Sequence, residues 1–292
     1  MTTHSSNLPS DQTTPDLTTP CPPLAFSTLR QAAKESGVAV SSYDAQSFGL
    51  SDVGHKRSRN EDCFDFDDEQ QVYVVADGIG SRHFGHIASR IAVDGVVKGM
   101  TRTGEEQDPL SAAVHHAHGL MRHAIRQEVA LRSMATTVVA LLLEGHRARI
   151  AHVGDSRVYR LRGNHLKCLT RDHSLATELV DSGELSQEEA DRMSLGHVLT
   201  RALSWRRDLE VESSMVSVQE GDLFLLCSDG LTNMVSDDEI LVCMQCGGGP
   251  EAINRRLIEQ ALYHGGNDNV TAIVVEIREP SATPRASTDS DR

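Results

Sequence analysis

Between residues 47 and 277, short apolar runs alternate with longer stretches whose apolar positions recur at helical spacing. Residues 47–52 predict a strand, and 72–76 a buried one that ends abruptly in Asp77 and Gly78. Residues 84–100 carry Ile87, Ile91, Val93 and Val97 near the helical period and predict a helix. Asp108 followed by Pro109 is an N-cap and first-turn pair. It opens a second helix with Leu110, Val114, Ala117, Met121 and Ala124 on its apolar face. A strand meander follows over 136–143, 147–153, 157–162 and 165–169, with Gly163 and Asn164 as a hairpin turn. Connections this short require antiparallel pairing.

Residues 172–201 are polar and predict a helical lid inserted among the strands, with Ser186 and Glu189 spaced as a capping box. Strands resume over 209–218 and 222–227. Ser236 and Glu239 form a second capping box, residues 250–263 predict a further helix, and 270–277 a closing strand. Helices in adjacent pairs and antiparallel strands in runs make this an α+β fold with helices covering the sheet faces. There is no internal repeat.

Composition adds the ends of the chain. Residues 1–46 are rich in Thr, Ser and Pro, and residues 278–292 are similar. Such segments bury too little apolar surface to offset the entropy of ordering, so a disordered arm and tail are expected around a domain at 47–277. The net charge of −14 argues against a partner held by phosphate-backbone attraction, whether nucleic acid or anionic membrane. The acidic run from Asp65 to Glu69 reads as a solvated hairpin. No apolar segment approaches the ~20 residues of a membrane span. The opening residues lack a charged region followed by an apolar one, so a cytoplasmic location is expected. Six scattered cysteines fit reduced thiols, and the Cys243/Cys246 spacing lacks a second pair for zinc.

Several apolar runs end in acidic residues. Asp77 and Gly78 follow one strand, Gly154 and Asp155 another, and Ser228, Asp229 and Gly230 a third; Asp268 and Asn269 open the last. Upstream, Arg57, Asn60, Glu61 and Asp62 precede Cys63 and Phe64. If the aspartates converge, two carboxylates 4 Å apart repel by about 4 kcal/mol at an effective dielectric of 20. They then require cations or raised pKa values. An all-oxygen donor set selects a hard ion, Mg²⁺ or Mn²⁺. Two such ions activate a water for in-line attack on phosphorus. Arg57, five residues before Asp62, is the natural cation for the remaining phosphate oxygens.

Taken in order, these motifs resemble the metal-dependent Ser/Thr protein phosphatases of type 2C in their compact bacterial form. They are Gly54, Arg57, Asn60, Glu61 and Asp62; Asp77 and Gly78; Gly154 through Arg157; Ser228 through Gly230; and Asp268 through Thr271. The resemblance implies a four-layer α-β-β-α sandwich with two central antiparallel sheets and the metals at one end. It implies that Asp62, Asp77 and the Gly78 carbonyl hold one part of a metal pair, and Asp229 and Asp268 the other. It places Asp155 at a third, weaker metal position, Glu61 on a metal through water, Arg57 on substrate phosphate, and residues 172–205 in a flap beside the site. The implied activity is hydrolysis of phosphoserine and phosphothreonine on proteins by a monomer opposing a bacterial Ser/Thr kinase. The alternative is a catalytically silent phosphoprotein-binding or scaffold module of the same fold.

The chain also departs from the pattern. Ile79 follows Asp77 and Gly78 where animal enzymes carry a histidine, Ala135 replaces a glycine, and residues 204–207 (Ser-Trp-Arg-Arg) replace a Gly-containing turn. His83, nearby, is a candidate general acid, since histidine suits proton transfer near neutral pH.

Overall fold

The computed structural model describes residues 43–80, 84–101, 107–193 and 195–279. Strands β1 (Asp44–Asp52), β2 (Asp62–Asp67) and β3 (Val72–Ile79) are followed by helices α1 (Gly85–Met100) and α2 (Pro109–Gln127). A 3-10 turn at Val129–Ser133 leads into β4 (Ala135–Thr136), β5 (Val138–Glu144), β6 (Arg147–Val153), β7 (Arg157–Arg162) and β8 (His165–Cys168). Two short helices, α3 (Leu175–Asp181) and α4 (Gln187–Arg192), precede β9 (Glu212–Ser217) and β10 (Leu223–Cys227). Helices α5 (Asp229–Thr232), α6 (Asp237–Gln245) and α7 (Gly249–Tyr263) come before β11 (Val270–Arg278).

The strands form two antiparallel sheets, one in the order β1-β11-β10-β7-β8 and the other β2-β3-β5-β6-β9, with β4 added to the end of β3. The two-residue period of a strand explains the layers. Along β3, Tyr73 and Val75 join Val139, Leu141, Phe224, Leu226, Ile273 and Val275 in the core between the sheets. Their neighbours Val72, Val74 and Ala76 face the other way, onto Ala88, Ala92, Val96, Leu110 and Val114 of α1 and α2. On the far face, Leu225, Cys227, Ala272 and Val274 pack against Ile240, Ile253 and Leu257 of α6 and α7. The result is the expected α-β-β-α sandwich.

The helix starts follow their side chains. Asp108 accepts from the Ser111 N–H, and Ser186 and Ser236 each close the capping box read from sequence. The register then gathers the acidic strand ends. Asp62 pairs with Asp77 across β2 and β3, Val138 with Val153 next to Asp155, and Cys227 with Ala272 between Asp229 and Asp268.

Several boundaries differ from expectation. β1 begins at Asp44, ahead of residue 47, because the last strand continues to Arg278 and pairs with it. Residues 1–42 of the expected arm, 280–292 of the expected tail, and His83 lie outside the described residues. Residues 172–201 are not one helical segment: α3 and α4 cover only 13 of them, and turns anchored to the sandwich supply the rest. Strand 209–218 shrinks to β9, with Leu209 and Val211 turned onto the α1–α2 core. Asp222, expected in a strand, sits just before β10 and forms a bidentate pair with Arg162 at 2.7 Å.

The run from Asp65 to Glu69 is not a solvated hairpin. Asp65 and Asp67 are buried, at 3% and 6% exposure. Asp68 accepts from the Ser47 N–H and hydroxyl at 3.1 and 2.7 Å and from the Tyr73 hydroxyl at 3.1 Å, tying the hairpin to β1. Asp67 caps the turn through the Glu69 and Gln70 N–H groups. The five described cysteines are free thiols. No described helix is long and apolar enough to cross a membrane.

Candidate active site

The floor of the site is built from strand ends of both sheets. Asp62 Oδ2 accepts from the Ser228 hydroxyl at 2.8 Å and the Thr271 hydroxyl at 2.6 Å, so β2 is locked to β10 and β11 through one oxygen. Its other oxygen, Oδ1, is buried and has no hydrogen-bond partner among the described residues. The same holds for Asp229 Oδ1, whereas Asp229 Oδ2 accepts from Asn233 at 3.0 Å. Two orphan carboxylate oxygens in one carboxylate cluster are a donor set for a cation.

Electrostatics say the same. Burial pushes the Asp62 carboxyl up to about 7, with Asp229 and Asp268 adding repulsion against the two hydroxyl donors. Burial and the charges of Asp62, Asp229 and Asp155 hold Asp77 well above the usual carboxylate range. Asp155 is pushed to about 8, by burial first and then by Asp229. Burial also raises Asp229. Such a cluster needs protons or divalent ions to persist, and a manganese or magnesium pair fits its all-oxygen chemistry.

Backbone contacts fix each group. The Asp77 N–H bonds the Thr137 hydroxyl at 2.9 Å and its carbonyl accepts from the Thr136 hydroxyl at 2.7 Å, so Ala135 in place of glycine leaves this clamp intact. A Cβ on Gly78 would strike the backbone of Gly85 and Glu61, so α1 can begin directly against the strand end. Glu61 accepts from the Gly85 N–H at 3.1 Å. Gly54, at φ 73°, lets the loop before Arg57 lie on the Asp268 carbonyl. The Arg57 guanidinium meets Asp268 Oδ2 at 2.6 Å, at the rim. Asn269 clamps this loop: it accepts from the Glu61 N–H at 2.8 Å and donates to the Val53 and Arg59 carbonyls at 2.9 and 3.0 Å.

Arg57, Glu61, Asp77, Gly78, Asp155, Asp229 and Asp268 all line one open cavity of about 1150 Å³, and the buried Asp62 is the cross-strand partner of Asp77. The structure therefore brings together every site residue named from sequence that lies among the described residues. Ser228, Thr271 and Asn269 stand inside the recognised motifs, but their hydroxyl and amide contacts depend on tertiary geometry. His197, from the flap, also lines the cavity and had no motif to mark it.

The flap is pinned at its base. Arg157 holds Asp172 in a bidentate pair at 2.9 and 2.7 Å. His173 stacks on His152 at 4.6 Å and accepts from the Gly154 N–H at 3.1 Å. His152, His173 and Glu212 are spaced like metal ligands, but the ring nitrogens already engage the Arg171 carbonyl, Gly154 and Glu212.

Comparison with known proteins agrees with this geometry. The sequence profile of the family described as protein phosphatase 2C matches residues 53–247. A serine/threonine phosphatase stp of Listeria welshimeri is 37% identical over 77% of this chain and 93% of its own length. The crystal structure of the Mycobacterium tuberculosis serine/threonine phosphatase PstP/Ppp superposes with a TM-score of 0.75 at 33% identity, over 80% of this chain and 99% of that one. A PstP catalytic domain in complex with two manganese ions superposes at 0.73, again at 33% identity, over 81% and 99%. This chain belongs to the protein phosphatase 2C family of metal-dependent serine/threonine phosphatases.

Proposed function

We propose that this chain hydrolyses phosphoserine and phosphothreonine on proteins at the carboxylate-floored cavity. Asp62, Asp77, the Gly78 carbonyl, Asp229 and Asp268 hold the metal pair, Asp155 serves a third, weaker position, and Glu61 acts from the outer sphere. When bound, manganese or magnesium neutralises the cluster and activates water for attack on phosphorus. Arg57 is mounted on the rim, and its planar fork suits two phosphate oxygens once it leaves Asp268. Thr136 and Thr137 keep Asp77 from moving as charge shifts, and Ser228 and Thr271 hold Asp62. Substrates are phosphoproteins of a Ser/Thr kinase in the cytoplasm, met by a monomer.

The observation that carries this reading is the pair of orphan buried oxygens, Asp62 Oδ1 and Asp229 Oδ1, in a cluster of raised carboxylates under an open cavity. The test is turnover of para-nitrophenyl phosphate and a phosphothreonine peptide with manganese. Asp77→Asn and Asp229→Asn should abolish it with the fold intact. Full activity in excess EDTA would remove the metal from the reading.

A further inference from the structure

Beside the carboxylate floor the cavity has a second, differently charged wall. Arg132, Trp205 and Arg206 all line it. The Arg132 guanidinium lies 4.6 Å from the centroid of the Trp205 ring. All three side chains are exposed, and neither arginine forms an ion pair among the described residues. Across from them, Glu210 is already paired with Arg201 at 3.2 Å, which leaves Asp208 as the nearby acidic lining residue outside such a pair.

This wall belongs to the rigid sandwich rather than to the flap helices. Leu203 is fully buried and exchanges two backbone hydrogen bonds with Thr136, at 3.0 and 2.9 Å. The Ser204 carbonyl accepts from His118 of α2 at 3.1 Å. Arg132 comes from the turn that feeds β4, where Ala135 is the partner of Ile79. The stacked pair is therefore pre-set before substrate arrives, which lowers the ordering cost of binding. Arg132 lies in the 3-10 turn three residues before Ala135, the partner of Ile79, so its Cα is at most about 10 Å along the chain from the end of β3. A peptide bound with its phosphate on the floor would pass the shelf within about three residues.

We propose that Arg132, Trp205 and Arg206 form a specificity shelf. It would take an anionic group, a carboxylate or a second phosphate, about three residues from the phosphoresidue being cleaved. The guanidinium fork pairs with either oxyanion, and the indole face holds the fork flat. The proposal rests on the phosphatase reading above and adds a preference among its substrates.

The test uses the full chain with manganese and phosphothreonine peptides that differ only in flanking residues: alanine, aspartate, phosphoserine or lysine. The readout is kcat/KM for loss of the phosphothreonine phosphate alone, assigned by fragment mass, relative to the alanine peptide, a ratio insensitive to general damage. The aspartate or phosphoserine ratio should exceed one by about fivefold, the scale of a charged contact at a half-exposed site. In Arg132→Gln that ratio should fall towards one, through KM. Preference for phosphoserine alone assigns the shelf to a second phosphate; preference for both assigns it to any oxyanion. A ratio of one in the parent, or an unchanged ratio in Arg132→Gln, overturns the shelf.

Trp205 is the chain's only tryptophan, so its emission reports the shelf without turnover. In Asp229→Asn, titration with the phosphoserine-flanked peptide should shift that emission more than the alanine peptide does. Equal responses overturn the shelf. Failure of the parent to hydrolyse para-nitrophenyl phosphate would overturn the phosphatase reading instead.

Discussion

Asp62 and Asp77 are direct partners across β2 and β3, two carboxylates placed opposite each other by the register of the sheet. Like charges in that position destabilise a ladder. The sequence of a stable hairpin would put a neutral residue at one of them. The apolar run of β3 and its partners in β5 impose the register regardless, because slipping by one residue would turn Tyr73 and Val75 out of the core between the sheets. The strain is therefore held at the site by burial elsewhere.

That arrangement gives two opposite expectations for one substitution. Without cations, Asp77→Asn removes a repelling charge and should raise the melting temperature in EDTA. With manganese at a hundred times its Kd, the parent should gain about 2.7 kcal/mol. That is roughly 5–10 °C at about 2–4 °C per kcal/mol for a domain of this size. The variant should lose most of that gain. Differential scanning calorimetry in EDTA and in manganese measures both, and a lower melting temperature for Asp77→Asn in EDTA would show that the two charges do not oppose folding.

Ser228 and Thr271 should tune metal affinity without touching the cations. Their hydroxyls both bond Asp62 Oδ2, which leaves the buried Oδ1 without a partner among the described residues. Removing such a supporting contact typically weakens a metal by about 10–100-fold. Thr271→Val keeps the shape and loses the donor, so calorimetric titration should show manganese binding weakened on that scale. Unaltered affinity would mean that Asp62 is oriented by its strand alone.

Much of this was legible in the chain because the residues that make strands and those that make the site alternate in blocks. The run from Val72 to Ala76 and the Asp77 that ends it are adjacent, so finding one finds the other. The Ser186 and Ser236 boxes are local and were readable for the same reason. Asp65, Asp67 and Asp68 read as solvated in the sequence because acidic residues are usually exposed. The partners of Asp68, Ser47 and Tyr73, come from other strands. The two short flap helices have little apolar periodicity to announce them. Arg132 and Trp205 are far apart in sequence, and the anchoring of Leu203 on Thr136 and of Ser204 on His118 brings them into contact.

Asn269 should matter both to stability and to substrate binding. It is buried, and its three hydrogen bonds hold the loop that carries Arg57, Glu61 and Asp62. Asn269→Ala orphans the Glu61 N–H and two carbonyls, at about 1–3 kcal/mol for the unsatisfied groups. Chemical denaturation should show that loss. KM for a phosphopeptide should rise as Arg57 loses its mount, and an unchanged KM with the expected loss of stability would separate Arg57 from this clamp.

Asp65 gives a pH dependence distinct from the site. It is buried in β2 beside Asp94 and Arg90 of α1, and burial, with repulsion from Asp94, pushes its carboxyl up to about 7. An unfolded aspartate ionises near 3.9. Between about pH 4 and 7 the folded chain keeps a proton that the unfolded chain has released. Stability from this group is therefore fully present below the unfolded value, falls as pH rises through that window, and levels off above it. Asp65→Asn removes the charge that burial opposes, and its amide oxygen can still accept from the Phe66 N–H, now bonded at 2.9 Å. The variant should melt higher than the parent at pH 8, with the difference shrinking towards pH 4. Melting curves at both ends of that range in EDTA isolate the effect, and a gap that stays constant with pH would place the Asp65 pKa near its ordinary value.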